Sequence, residues 1–130
     1  MLQTTGLRLG KRELEIMNVV WDLSEATVQD VCERLARPAA YSTVLTMMRT
    51  LETKGVLSHR VFGRTFIFRP MISRDDVRGS MLSTVRELLF GGSASLLVNS
   101  MISQERMNAD ELAELRRVLD AARPAGAEHA

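Results

Sequence analysis

The stretch VLSHRVFGRTFIFRP, Val56 to Pro70, holds two β-rich runs, Val56–Phe62 and Thr65–Phe68, joined only by Gly63-Arg64. A glycine there supplies the positive φ that a tight hairpin requires, and Pro70 is expected to close the second strand. Everything before this hairpin reads as helix. Between Lys11 and Leu23, Leu14, Met17, Val20 and Trp21 recur at helical spacing with Ile16 beside them. Gly10 precedes this helix, with Glu13 as its third residue. Thr27 stands as a cap before a short second helix, Val28–Leu35, whose stripe is Val28, Val31, Cys32 and Leu35, and Pro38 ends it. A third helix follows, with Val44, Met47, Met48 and Leu51 as its inner face and Gly55 as a left-handed residue just past its end. Three helices followed by a basic hairpin is the order of a winged helix-turn-helix domain.

The remainder is helical as well. Ser73 and Asp76 resemble a capping box opening a helix with the stripe Val77, Met81, Val85, Leu88 and Leu89, which Gly91-Gly92 breaks. A short apolar helix, roughly Ala94–Ile102, comes next. Asn108 with Glu111 caps a last helix carrying Leu112, Leu115, Leu119 and Ala122, and residues 124–130 read as a frayed tail. Three striped helices in about fifty residues make a marginal core alone, so they either pair with a second copy, the usual solution, or fold back on the first domain. The fold class is mainly α with a small β-hairpin. The expected divisions are a flexible arm over 1–6, a winged-helix domain over 7–72, a helical domain over 73–123 and a tail over 124–130.

Charge is unevenly spread. The net charge is only +1, yet residues 38–70 carry Arg49, Lys54, Arg60, Arg64 and Arg69 against the single acid Glu52, whereas residues 73–130 carry seven arginines against nine acids. Two regions with two tasks is the simplest inference. A lone cysteine, Cys32, excludes an intrachain disulfide or thiolate cluster and reads as a small buried hydrophobe. No signal peptide and no run of about 20 apolar residues is present, so no membrane insertion and a cytoplasmic location are expected.

Catalytic constellations are missing. His59 sits among arginines and His129 in the tail, neither with a carboxylate, Ser or Cys partner at a suggestive spacing. Gly91-Gly92 is followed by Ser-Ala-Ser without the lysine of a phosphate loop. Met17, Met47, Met48, Met71, Met81, Met101 and Met107 fall mostly on core faces, where methionine fills irregular gaps, so no metal site and no cofactor are expected. The chain does not read as an enzyme.

The outer face of the third helix is the informative surface. Taking about 100° per residue from Val44, Ser42, Thr46, Arg49 and Thr53 fall between about 140° and 200°, opposite the apolar stripe. A helix that needs only to stay soluble usually carries Glu and Lys; this one shows short hydroxyls around one arginine. Such groups can donate to phosphates or touch base edges, and the Arg49 fork suits guanine O6 and N7. An ordinary solvated face is the competing reading.

The stretches RELEIMNVVWDLSEATVQDVCERL, YSTVLTMMRTLETKGVL and GRTFIFRPMISRDD closely resemble the BlaI/MecI-type penicillinase repressors over residues 7–123. That resemblance implies a homodimeric winged-helix transcriptional repressor, associated in the family with antibiotic resistance, on a palindromic operator of double-stranded DNA. It places the third helix in the major groove through Ser42, Thr43, Thr46 and Arg49, with Tyr41, Lys54, Arg60 and Arg64 as phosphate or wing contacts. The C-terminal helices become a dimerisation domain, with Val85, Leu89, Leu96, Leu97, Met101, Leu112, Leu115 and Leu119 on the seam. Family members that control β-lactam resistance are inactivated by cleavage in the short helix, initiated by a membrane-bound metalloprotease sensor, at a bond between Asn and Phe. Here Asn99 is followed by Ser100, a departure from that pattern. The paired Cys-x-Cys motifs of a copper-responsive branch are absent. Two other readings stand beside the dimeric repressor: a regulator released by a small ligand or partner protein, and a winged-helix module used for protein contact.

Overall fold

The computed structural model describes residues 8–125, so the expected arm over 1–6 and all but the first two residues of the expected tail lie outside the described residues. Six helices and one hairpin follow in the order α1 (Lys11–Leu23), α2 (Val28–Arg34), α3 (Tyr41–Thr53), β1 (Leu57–Phe62), β2 (Thr65–Pro70), α4 (Arg74–Phe90), α5 (Ala94–Gln104) and α6 (Ala109–Ala121). The chain divides into two units within α4, between Thr84 and Val85, rather than at residue 73. The reason is packing: Val77 is buried and Met81 packs on the first core, so the opening turns of α4 belong to that core.

In the first unit each helix end is specified locally. The Gly10 N–H donates to Glu13 Oε1 at 2.8 Å, so the third residue of α1 supplies the cap that glycine lacks. Thr27 and Asp30 cap α2 reciprocally, Asp30 N–H to Thr27 Oγ1 at 3.0 Å and Thr27 N–H to Asp30 Oδ2 at 2.9 Å. At the end of α3, Gly55 has φ 80°. Val56 N–H bonds Leu51 O at 2.9 Å and Gly55 N–H bonds Glu52 O at 3.0 Å, the pair of bonds that turns the chain directly into β1.

The strands pair antiparallel from Leu57↔Pro70 to Phe62↔Thr65, leaving Gly63-Arg64 as a two-residue turn with Gly63 at φ 64°. Pro70 is thus the last residue of β2, not a stop beyond Phe68. It sits at the strand end, where a missing N–H costs no ladder bond. Phe68 also pairs with Ala26, with N–H to carbonyl bonds of 2.9 and 2.8 Å in the two directions. Its side chain is fully buried with Ile16, Met17, Val20, Val31, Val44, Met48 and Leu51. The stripes expected on α1–α3 all meet in this core, to which Val19 is an unforeseen addition. Cys32 is half-buried at the core's edge rather than enclosed.

A polar clamp fixes the start of α4. Trp21 Nε1–H donates to Ile72 O at 2.9 Å, and the Arg74 guanidinium lies over the Trp21 ring at 5.3 Å. Arg74 also donates to Asn18 O at 3.1 Å and Asp22 Oδ1 at 2.8 Å.

In the second unit the helices are well capped but poorly covered. Ser93 caps α5 through Leu96 N–H at 3.1 Å, and Asn108 with Glu111 caps α6 in both directions. The α5 helix runs to Gln104, two residues past the expected end. Neither α5 nor α6 contains a buried residue. Leu88 and Leu89 are 76% and 75% exposed, and Leu96, Met101, Leu112 and Leu119 are exposed as well. Leu97 and Leu115 are half-buried.

Because Phe68 joins the hairpin to the helices through both backbone and side chain, Phe68→Ala should destabilise the first unit by about 3–5 kcal/mol, the usual cost of emptying a buried aromatic site. Urea unfolding followed at Trp21 measures this. A loss below about 1 kcal/mol would show that the hairpin is not integral to the core.

Candidate nucleic-acid interface

The turn between α2 and α3 determines how α3 is presented, and α1 holds that turn. Arg12 Nη2 donates to Arg37 O at 2.7 Å and Pro38 O at 3.1 Å, while Glu15 Oε1 accepts from both Arg12 at 3.0 Å and Arg37 at 3.1 Å. Hydrogen bonds from Arg37 and Arg12 hold the Glu15 carboxyl below its ordinary range. With Val44, Met48 and Leu51 buried, Ser42, Thr43, Thr46 and Arg49 lie exposed on the other side of α3.

Hydroxyls on this face divide into two groups. Thr50 Oγ1 donates to Thr46 O at 3.0 Å and Thr53 Oγ1 to Arg49 O at 3.1 Å, so both protons are committed to the helix backbone. Ser42, Thr43 and Thr46 make no side-chain hydrogen bond among the described residues. Thr53, expected on the reading face, is therefore a weaker donor than Ser42 or Thr46. Tyr41, at the first turn of α3, is 54% exposed.

The cations divide similarly. Lys54 Nζ is held by both Glu13 carboxylate oxygens at 2.9 Å and by Arg8 O at 3.2 Å. Burial raises the Glu13 pKa, but the Gly10 N–H and Lys54 more than offset this and the net shift is downward. Arg60 on β1 is paired with Glu25 at 3.2 Å. Its hydrogen bond, followed by its charge, lowers the Glu25 pKa, and the same contacts raise that of Arg60. Arg69 donates to Ser58 Oγ at 3.3 Å. Arg64, at the exposed hairpin turn, has no ion-pair partner among the described residues. Of the expected phosphate contacts, then, Arg64 is uncommitted, whereas Lys54 and Arg60 carry resident counter-charges that the sequence spacing did not reveal.

Arg49 has a different kind of partner. Its guanidinium lies 5.7 Å from the Phe66 ring centroid. Phe66 in turn stacks on His59 at 4.3 Å with 15° between the planes. His59 Nδ1 lies 2.8 and 2.7 Å from the two Glu52 oxygens, distances at which an N–H donates to a carboxylate. His59 thus has a carboxylate partner after all, seven residues away on α3, brought near by the turn at Gly55. His129 lies outside the described residues.

Arg49 and Phe66 border a cleft of about 450 Å³ between the start of α2, the outer side of α3 and the hairpin turn. Its walls include Thr27 and Gln29, Tyr41 and Arg49, and Arg64 and Thr65. Thr27, Gln29 and Thr65 escaped the sequence reading, in which Thr27 figured only as a helix cap. The cleft is two-sided, with cations from both α3 and the hairpin and hydroxyls between them. That chemistry suits a phosphate backbone with base edges beside it. Among the described residues no group of three or more His, Cys, Asp or Glu side chains could hold a metal ion, and no single helix is long and apolar enough to cross a membrane.

Comparison with known proteins finds a family and several relatives. The model of the penicillinase repressor family matches residues 9–121. A penicillinase repressor of Bacillus licheniformis is 26% identical over 115 residues, covering 87% of this chain and 90% of its own length. The transcriptional regulator BlaI of Mycobacterium tuberculosis is 33% identical over 116 residues, covering 86% of this chain and 83% of its own. Among solved structures, the DNA binding domain of the repressor BlaI matches 58% of this chain and 93% of that one, with 31% identity and a TM-score of 0.49.

The division among cations yields a direct test on duplex DNA. Arg64→Ala should reduce the slope of log affinity against log salt by about 0.9 per half-site, as loss of one phosphate contact requires. Arg60→Ala should reduce it clearly less, because Glu25 already offsets that charge. Equal reductions would mean that Arg60 leaves Glu25 when DNA binds.

Proposed function

The chain belongs to the penicillinase repressor family, and from that premise we propose that it is a transcriptional repressor acting in the cytoplasm as a homodimer on palindromic operator DNA. The observation that carries the proposal is the exposed face of α3, where the side chains of Ser42, Thr43, Thr46 and Arg49 make no hydrogen bond among the described residues. Its hydroxyls and guanidinium are left for base edges, and Arg64 and Tyr41 flank it for phosphates. Lys54 and Arg60 play a secondary part, orienting α3 and the wing through Glu13 and Glu25.

The second unit supports self-association. Isolated helices with no buried residue and a row of exposed leucines and methionine gain by burying those side chains, at roughly 25 cal/mol per Å² of apolar surface. The seam comprises Val85, Leu89, Leu96, Leu97, Met101, Leu112, Leu115 and Leu119. Two linked half-sites are then held together, which multiplies the affinity of each.

Release by proteolysis at Asn99-Ser100, after a signal from a membrane-bound metalloprotease sensor, is compatible with this arrangement. That bond lies inside α5, where Ser103 Oγ donates to Asn99 O at 3.0 Å. A protease needs extended backbone, and a helix with so few buried contacts unwinds locally at low cost. Cutting there would separate α6 from the first unit.

Two measurements test these readings. Leu119, 59% exposed, tolerates a charge in the isolated chain but not in an apolar seam, so Leu119→Asp should sediment as a folded monomer. On a duplex selected from a random pool, it should bind at least about tenfold more weakly than the unaltered protein, as lost avidity implies. A dimeric, normally binding Leu119→Asp would refute the seam. For the switch, intact-mass spectrometry of protein from induced cells should find a fragment ending at Asn99; full-length protein with the target genes expressed would refute cleavage.

A further inference from the structure

Arg49 presents a problem that the described contacts solve. A lone arginine on a helix surface has many rotamers, and Glu52, three residues further along α3, is placed to capture it. Such an ion pair would occupy the same N–H donors that a guanine edge requires. Yet both Glu52 oxygens are engaged by His59 at 2.7 and 2.8 Å, and the guanidinium lies instead over the face of Phe66. A ring face attracts a cation without supplying an oxygen acceptor, and among the described residues no hydrogen bond occupies the Arg49 N–H donors.

From this we infer that Phe66 is a positioning residue for base recognition: its ring holds the Arg49 fork ready for a base pair, and His59 backs the ring while keeping Glu52 away. The inference rests on the reading of Arg49 as a base contact. Phe66 itself is well anchored. It lies two residues before Phe68, whose backbone is bonded to Ala26, and it packs against Phe68 edge-on at 6.3 Å. Selectivity at one base pair therefore depends on a wing residue that need not touch that pair. Holding the fork in one place also lowers the entropy lost on binding, so the effect appears as discrimination between bases rather than as general affinity.

The experiment measures affinity by fluorescence anisotropy on the selected duplex and on duplexes with each half-site base pair substituted in turn. Arg49→Ala identifies the pair concerned: discrimination there should fall by about tenfold or more, within the range for a bidentate contact. Phe66 is then replaced by a ring-fluorinated phenylalanine, which keeps the shape but removes the negative face, so folding is preserved. At the same base pair discrimination should fall about two- to fivefold, the share of an exposed cation–ring contact. Affinity for unrelated duplex and its salt slope should stay unchanged. Phe66→Tyr, which retains an electron-rich face, should keep full discrimination. Unaltered discrimination with the fluorinated ring would overturn the inference while leaving the Arg49 contact intact. If Arg49→Ala itself changes no base preference, the base-contact reading fails, and the positioning role fails with it.

Discussion

Phe68 is the residue on which the candidate interface depends. Its backbone bonds to Ala26 tie the hairpin to the segment between α1 and α2, and its fully buried ring joins the core that α1, α2 and α3 share. A two-stranded hairpin is marginal by itself in water. Here the hairpin is held as a wing because one of its residues is also fully buried in the helical core. With Phe68 fixed, β-strand alternation places Phe66 on the same face, next to α3, and Gly63-Arg64 at the far end. The wing turn and the outer side of α3 can then form one cleft.

Electrostatics refine that cleft. A basic segment is not uniformly available to DNA, since three of its five cations are hydrogen-bonded to side chains: Lys54 to Glu13, Arg60 to Glu25, and Arg69 to the Ser58 hydroxyl. The first two partners lie in α1 and in the turn after it. These surface pairs add little stability, but they join the end of α3 to the first helix and the wing to the turn that follows it. Among the described residues Arg49 and Arg64 have neither a carboxylate nor a hydroxyl partner, and they lie one on each side of the cleft. The counter-charges thus direct a general attraction for polyanions toward one strip of surface.

The chain's helices were legible because each carries its own start and stop chemistry. Thr27 with Asp30, Asn108 with Glu111, and Gly55 fall where local hydrogen bonding demands them, and α1 begins and ends at the residues its stripe indicated. Long-range pairings were not legible. Nothing in the spacing of Glu25 and Arg60, or of Glu13 and Lys54, marks them as partners, since only the folded core brings them together. His59 and Glu52 are closer in sequence but cross a helix end and a strand, so neither periodicity relates them. The expected division at residue 73 follows the helix start that Ser73 signals, whereas the compact first unit runs to Thr84 because Val77 and Met81 pack on its core. Family resemblance supplied the proposed reading face as a set of positions. The structure adds which of their side chains are held by partners among the described residues and which are not.

That α3 and the wing form the reading surface is tested most directly by mapping amide chemical shifts of the full chain as a palindromic duplex, selected from a random pool, is added. The account predicts large shifts at Ser42, Thr43, Thr46 and Arg49 and at the Gly63-Arg64 turn, with Thr27 and Gln29 also affected, while α6 stays near its free positions. Shifts concentrated on α5 and α6, with α3 and the wing turn unmoved, would contradict it.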